Sequence, residues 1–190
     1  YDIIVWGATG FTGKLVTRYM EQNYTQGNLK WAVAGRNKSK LNSLGLSEEN
    51  ILIADSDDQE SIDQLVQKTR VILTAVGPYA RYGSGLVAAC AKHGTHYCDL
   101  TGEVYWMRRM IEEYSSMAKD SGAKIVHTCG FDSIPSDLGT YFLQQAMMER
   151  FGVPANKVKY RSVAFKGGFS GGTADSMMAM MENAERDPVV

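Results

Sequence analysis

Residues 3–13 read Ile-Ile-Val-Trp-Gly-Ala-Thr-Gly-Phe-Thr-Gly, a short apolar run that leads into glycines at positions 7, 10 and 13. A helical spacing of apolar residues follows the last of these glycines. A strand, a tight turn and a helix N-terminus in this order form a cradle for a pyrophosphate group, whereas a glycine triplet alone carries little information. A loop that only turns the chain is the alternative, and the strand and helix on either side favour the cradle.

The residues of this turn have distinct predicted tasks. Gly7 lets the chain turn off the strand, Gly10 lets the backbone approach a phosphate, and Gly13 lets the helix pack close to the strand. The free amides of the first helical turn, together with the helix dipole, favour a bound anion. We therefore predict that the cofactor contacts Gly7, Thr9, Gly10, Phe11, Thr12 and Gly13.

The composition excludes several classes of protein. The chain has 190 residues, of which 44% are hydrophobic and 22% charged, with a net charge of −1, which is typical of a globular protein with one full core and part of another. The basic residues are scattered, which argues against nucleic-acid binding. The apolar runs are too short for a transmembrane segment. Cys90, Cys98 and Cys129 lack Cys-x-x-Cys spacing, so we expect buried thiols, no metal site and a cytoplasmic location.

Strand-length apolar runs alternate with helical stretches along most of the chain. We predict strands at 3–6, 31–34, 51–54, 71–76, 96–100 and 124–128. Helices are predicted between and after them, at 14–22, 39–44, 59–68, 85–93, 103–120 and 136–151. This alternation on short loops predicts an α/β fold with a doubly wound parallel sheet of the Rossmann type, in the strand order 3-2-1-4-5-6 and covered by helices on both faces.

The pattern changes after residue 154. Residues 157–165 alternate in polarity and predict a strand, 166–173 predict a Gly-rich loop, and 175–184 predict a Met-rich helix. We therefore divide the chain into a cofactor domain, 1–154, and the truncated beginning of a second α/β domain, 155–190, for substrate binding and dimerisation. We expect the 190-residue chain by itself to bind cofactor without turning over substrate.

The end of the second strand decides which nicotinamide dinucleotide is bound. An acidic residue there binds the ribose 2′-hydroxyl of NAD, and a basic residue accommodates the 2′-phosphate of NADP. This position holds Arg36, followed by Asn37 and Lys38. A guanidinium stacks on adenine and binds phosphate, so we predict NADP. A solvated basic turn is the alternative.

Two further strand ends complete the predicted cofactor site. Asp55 and Ser56 follow the third strand and are predicted near the adenine, although Asp is also a common turn residue. The end of the fourth strand is predicted to lie along the nicotinamide ribose, with contacts from Ala75, Val76, Gly77, Pro78 and Tyr79. The alternative for Gly77 and Pro78 is that they only end the fourth strand.

Two catalytic templates can be compared with the sequence. No tyrosine has a lysine four residues later, as the Tyr-x-x-x-Lys pair of short-chain reductases requires, and Gly83-Ser84-Gly85 is too short for the Gly-x-Ser-x-Gly elbow of serine hydrolases. The carboxylates near strand ends, Asp99, Glu103 and Asp132, are the candidate acid–base groups. A structural role is the alternative for each of them, and Glu103 could simply begin its helix.

Five blocks of sequence resemble the saccharopine dehydrogenase-like oxidoreductases. They are residues 6–13, 34–36, 76–83, 96–103 and 130–137, in the order of that family. The resemblance implies an NADP-binding Rossmann domain and a second α/β domain that closes over the nicotinamide and carries homodimer contacts. The Thr-Gly-Glu sequence at 101–103 is more similar to the trans-acting enoyl reductases and a lipid-droplet-associated branch than to true saccharopine reductases.

The resemblance therefore implies an NADP(H)-dependent oxidoreductase that transfers hydride to or from a small-molecule or acyl substrate. It also implies peripheral association of the full protein with lipid, at a droplet or organelle surface. The alternative is a non-catalytic NADP-binding sensor or scaffold at a lipid surface, because a cofactor site does not determine the reaction.

Overall fold

Six short parallel strands form the framework of the chain in a computed structural model that describes residues 1–24, 27, 29–164, 166–168 and 171–186, with side chains up to residue 182. The strands are β1 (Ile3–Trp6), β2 (Trp31–Gly35), β3 (Ile51–Ile53), β4 (Val71–Thr74), β5 (His96–Cys98) and β6 (Ile125–Val126). The α-helices of the described residues are α1 (Phe11–Tyr24), α2 (Lys38–Asn42), α3 (Gln59–Val66), α4 (Tyr79–Tyr82), α5 (Ser84–His93), α6 (Val104–Ser121), α7 (Ile134–Phe151) and α8 (Gly171–Arg186).

The strand order confirms the predicted topology. The sheet runs β3-β2-β1-β4-β5-β6, and every neighbouring pair is parallel. In β1, Ile3 lies opposite Trp31 of β2 on one side and Val71 of β4 on the other. The chain therefore reverses its direction of winding between β1 and β4, and a crevice opens at the carboxyl ends of these strands.

The alternation of side chains along β1 divides the core in two. Ile4 and Trp6 pack with residues of β4 and of helices α3–α6 in the larger cluster, which includes the fully buried Trp106. Val5, one residue out of phase, packs with Met20 and Leu41 of α1 and α2. Successive side chains of a strand point to opposite faces, so an apolar β1 is buried on both sides and lies at the centre of the domain.

The predicted helix at 136–151 is confirmed as α7. It does not cover a face of the sheet, as the sequence analysis expected. None of its residues is buried, and Leu138, Tyr141 and Phe142 are largely exposed. Val126 at the end of β6 is half exposed as well. The apolar residues of α7 are distributed around the helix, so its sequence defines no single face for packing.

The predicted strand at 157–165 is wrong over its described part. Residues 157–164 form no strand, and Phe165 lies outside the described residues. A strand needs a neighbour for its backbone donors and acceptors, and this segment pairs with none of the described strands. Residues 166–173 are not one loop, because α8 begins at Gly171, and Phe169 and Ser170 lie outside the described residues.

Smaller elements also differ from the expectation. The sequence did not predict the single turn of α4 or the short 3-10 helix Glu48–Asn50.

Of the three thiols, Cys90 is buried, Cys98 is partly buried and Cys129 is exposed, so the expectation of three buried thiols is wrong. Burial raises the pKa of Cys98 to about 11.

Glycine is required where α1 meets the end of β1. A Cβ added to Gly13 would lie 2.0 Å from the Gly7 carbonyl oxygen and 2.8 Å from the Ala8 Cα. Both are backbone atoms and cannot move away without disrupting the turn. We expect Gly13→Ala to lower the free energy of unfolding by about 3 kcal/mol, as other over-packed substitutions do. Urea denaturation measures this change.

Gly139 of α7 provides the matched control. A Cβ there would meet no atom within 4 Å, and alanine favours a helix by about 0.5–1 kcal/mol over glycine. Gly139→Ala should therefore be neutral or slightly stabilising. Equal effects of the two substitutions would contradict the close packing of α1 on β1.

Candidate functional site

A cleft of about 250 Å³ opens at the carboxyl ends of β1–β4, where the winding of the sheet reverses. It is lined by Trp6, Gly7, Thr9, Gly10, Gly35, Arg36, Ala54, Ser56, Ala75, Val76 and Tyr82. Parallel strands bring their carboxyl ends to one edge, so residues far apart in sequence meet there.

The cleft brings together part of the predicted cofactor site. The predicted residues that line it are Gly7, Thr9, Gly10, Arg36, Ser56, Ala75 and Val76. The predicted residues that do not line it are Phe11, Thr12, Gly13, Asn37, Lys38, Asp55, Gly77, Pro78 and Tyr79. The first group contains the glycine turn, the residue predicted to distinguish NADP from NAD, and the end of β4 predicted to lie along the nicotinamide ribose.

Several of the remaining side chains stabilise local structure. The Asn37 side chain caps α2, because its Oδ1 accepts the Lys40 amide at 2.9 Å. The Asp55 Oδ1 accepts the Asp57 amide at 3.2 Å, a turn within its own loop. The Tyr79 ring is buried against Trp106, with ring centroids 5.6 Å apart, and burial raises the pKa of its hydroxyl.

The start of α1 has the geometry of an anion site. The Gly10 amide donates to the Gly7 carbonyl at 3.0 Å, and the Lys14 amide donates to the Gly10 carbonyl at 2.9 Å. Residues 11–13 precede that first helical bond, and an α-helix leaves such amides without an acceptor of its own. A phosphate bound at this helix N-terminus, beside Gly10 of the cleft, would satisfy them.

The residue at the end of β2 is a free cation within the described part of the chain. Arg36 is exposed, lines the cleft and takes part in none of the ion pairs found there. Lys38 and Lys40 are exposed beside it. A guanidinium without a carboxylate partner can bind a phosphate in a bidentate manner.

The candidate Asp99 is the centre of a buried polar network beyond β5. Its Oδ2 accepts the Tyr97 hydroxyl at 2.8 Å and lies 2.7 Å from His127 Nδ1. Its Oδ1 accepts the amides of Thr101 at 3.1 Å and Thr128 at 2.9 Å. Thr128 has a φ of 60°, an unusual value for a β-branched residue. Asp99 therefore holds the turn that follows β6.

The other two candidate carboxylates differ sharply in their surroundings. Glu103 is fully buried, and its oxygens accept the amides of Tyr79 at 2.9 Å and Ala80 at 2.8 Å. Asp132 is exposed and lines a separate cleft at the start of α7. The structure thus does not gather the three candidates into one site. Among the described residues, no group of three or more His, Cys, Asp or Glu side chains is placed to hold a metal ion.

Residues 3–126 match the family model described as the saccharopine dehydrogenase NADP binding domain. The chain belongs to the saccharopine dehydrogenase family. The cofactor of this domain is therefore NADP, which confirms the choice predicted from Arg36. The glycine turn, the free amides of α1 and the cation of β2 fit this dinucleotide.

Two mycobacterial proteins are similar to this member of the saccharopine dehydrogenase family. A Mycobacterium tuberculosis protein, named provisionally as a trans-acting enoyl reductase, is 43% identical over 194 residues, which cover 99% of this chain and 46% of that protein. The trans-acting enoyl reductase of Mycobacterium ulcerans is 44% identical over 155 residues, which cover 78% and 37%. The chain thus spans less than half the length of these relatives.

A solved structure shares the fold of this saccharopine dehydrogenase family chain. Apo saccharopine dehydrogenase (L-Glu forming) of Saccharomyces cerevisiae superimposes with a TM-score of 0.61 at 16% sequence identity, covering 80% of this chain and 32% of the yeast enzyme. At this identity the similarity concerns the fold alone.

Sequence analysis missed some of the residues that line the cleft. Trp6, Gly35 and Ala54 end or follow β1, β2 and β3, and the rule that ligands bind at the carboxyl ends of parallel strands could have found them. Tyr82 could not be found in this way, because it reaches the cleft through α4, a helix that the sequence pattern did not predict.

Gly10 provides a test of the phosphate position. A Cβ on Gly10 would meet only the Gly7 carbonyl oxygen at 3.4 Å, an ordinary contact. Gly10→Val should therefore remain folded, while its branched side chain fills the space of the pyrophosphate. We expect loss of NADPH binding in a fluorescence titration and an unchanged far-UV circular dichroism spectrum. A folded variant with full affinity would show that the phosphates lie elsewhere.

Arg36 provides a test of cofactor selectivity. A charge-assisted hydrogen bond is worth about 1.5–3 kcal/mol, so Arg36→Ala should weaken NADPH binding by roughly ten- to a hundredfold and leave NADH binding nearly unchanged. Calorimetry with both cofactors measures the difference. Arg108→Ala, which removes an exposed arginine of α6, is the control, and equal losses for NADPH and NADH would refute the role of Arg36.

Proposed function

We propose that this chain is the cofactor-binding part of an NADP(H)-dependent oxidoreductase that acts on an acyl or lipid substrate. The observation that carries the proposal is the convergence of the glycine turn and the free Arg36 cation in one cleft at the switch point of the sheet. Membership of the saccharopine dehydrogenase family supports it.

In this proposal the protein binds and orients the cofactor. The amides at the start of α1 bind the pyrophosphate, and Arg36 binds the 2′-phosphate on the β2 side. Ala75, Val76 and the segment up to Tyr82 border the nicotinamide half on the β4 side, where Gly77, Pro78 and Tyr79 contribute backbone. NADP(H), when bound, supplies hydride transfer, and the protein controls its position and surroundings.

The proposed class of substrate comes from the relatives. Both mycobacterial relatives carry the name trans-acting enoyl reductase, so we propose an unsaturated acyl chain as the substrate, in preference to an intermediate of lysine metabolism.

The catalytic roles of Asp99, Glu103 and Asp132 stay a prediction. Among these three carboxylates, only Asp132 is exposed.

We propose further that residues 155–190 begin a second domain that closes the site and contributes to a homodimer. The exposed apolar residues of α7, among them Tyr141 and Phe142, support this idea. Exposed apolar surface of this kind marks contacts with further protein or with lipid.

No helix of the described residues has the length and apolar character needed to cross a membrane. For the location, we propose a cytoplasmic protein with peripheral lipid association.

One observation favours a second function, a non-catalytic NADP sensor or scaffold. Both buried carboxylates, Asp99 and Glu103, already accept several hydrogen bonds from the protein itself. A general acid or base must instead reach the proton that it transfers.

NADPH oxidation by protein extended to the length of its relatives distinguishes these functions. With a 2,3-unsaturated acyl thioester, we expect a steady fall in absorbance at the wavelength of the reduced nicotinamide. The 190-residue chain should bind NADPH without this reaction. Gly10→Val in the long protein is the control and should abolish the signal.

The other outcomes are equally informative. Tight NADPH binding without oxidation, across acyl thioesters and imines, would favour the sensor. Steady oxidation by the 190-residue chain would contradict the need for a second domain. No NADPH binding at all would refute both functions.

A further inference from the structure

The carboxylate of Glu103 is a buried charge that joins separate parts of the chain. It lies at the start of α6 and is fully buried. Its Oε1 accepts the Tyr79 amide at 2.9 Å, and its Oε2 accepts the Ala80 amide at 2.8 Å. These are the first amides of α4, which have no acceptor within that helix. Bonds from amides to a carboxylate are charge-assisted and stronger than neutral ones.

Helix α4 is positioned at the border of the cofactor cleft. Val76 precedes it, Tyr82 is its last residue, and both line the cleft. Dinucleotides bind across the switch point of a doubly wound sheet, with one nucleotide on each half. Arg36 lies on the β2 side and Val76 on the β4 side, so the segment 76–82 borders the nicotinamide half of the cofactor.

The same carboxylate also holds α8. The Ser176 hydroxyl donates to Glu103 Oε1 at 2.9 Å. Arg81 of α4 forms an ion pair with Glu182 of α8 at 2.7 Å. Ala179, which lies between Ser176 and Glu182 along α8, is buried. Helix α8 is thereby fixed on α4, and its Ser176 lies 73 residues beyond Glu103 in the sequence.

We propose that Glu103 is a positioning residue for the nicotinamide half of NADP(H), which acts through the segment 76–82 and joins α8 to that segment. The inference depends on the cofactor cleft proposed above. When the cofactor orders the segment 76–82, it also stabilises α8 through Glu103 and Ser176. Helix α8 thus responds to whether the cleft is occupied.

The chemistry of the site requires a carboxylate. Each oxygen of Glu103 accepts a separate backbone amide, so both must be acceptors. A carboxamide has the same shape but presents an NH₂ group at one of the two positions, where two donors then face each other. Glu103→Gln therefore displaces the start of α4 while it conserves the volume of the side chain.

The test compares two ligands in Glu103→Gln. NADPH occupies both halves of the cleft, whereas adenosine 2′,5′-bisphosphate has the 2′-phosphate but no nicotinamide half. We expect the Kd of NADPH to rise by about ten- to a hundredfold, the effect of losing a buried hydrogen bond to a charge. The Kd of the bisphosphate should stay unchanged. Glu112→Gln, the same change at an exposed site of α6, should alter neither.

A second variant tests the connection to α8. Ser176→Ala keeps both backbone bonds of Glu103 and removes only the contact from α8. In the wild type, NADPH should slow hydrogen exchange of residues 174–182. In Ser176→Ala this slowing should be weaker, because the Arg81–Glu182 ion pair still joins α8 to α4, while the bisphosphate still binds. If Glu103→Gln fails to fold, Ser176→Ala still tests whether Glu103 joins α8 to the segment 76–82.

Three results would overturn the inference. They are unchanged NADPH affinity in folded Glu103→Gln, equal losses for the two ligands, and NADPH-dependent slowing of α8 that is undiminished in Ser176→Ala. The proposed function fails separately, because a wild-type protein that binds neither NADPH nor the bisphosphate has no cofactor cleft at this position.

Discussion

The close packing of α1 against the end of β1 is the constraint on which the rest of the structure depends. A side chain at Gly13 would overlap the Gly7 carbonyl oxygen, 2.0 Å from its Cβ. Because the two elements are this close, α1 begins directly beside the end of the central strand. The switch point beside β1 then places the glycine turn before α1, with Gly7 and Gly10, in the same cleft as Arg36.

The two halves of the cleft are stabilised by different physical means. On the β1–β3 side, glycine geometry and apolar packing of Val5 and Val33 hold the backbone. On the β4–β6 side, the buried carboxylates of Asp99 and Glu103 organise the loops through hydrogen bonds to backbone amides. Networks of this kind are specific when every member has a partner, and the loss of one partner leaves a buried polar group unsatisfied. The β4–β6 side is therefore more sensitive to single polar substitutions.

The two C-terminal helices differ in how they contact the rest of the domain. Helix α7 exposes apolar residues on several sides, and α8 contacts the domain at α4 and Glu103. The relatives named trans-acting enoyl reductase are more than twice as long as the part that matches this chain.

The sequence by itself determined the strand order, the glycine turn and the preference for NADP, because these follow from local patterns. Each apolar run or short loop is recognised from a few neighbouring residues, and the cofactor preference is read from Arg36 at the end of β2. Only the tertiary structure decided the tasks of Asp99 and Glu103, whose partners come from other elements. The Glu103 contacts with Tyr79 and Ser176 span 24 and 73 residues of sequence. The segment 157–164 illustrates the same limit, since an alternating pattern becomes a strand only where a neighbouring strand accepts and donates its hydrogen bonds.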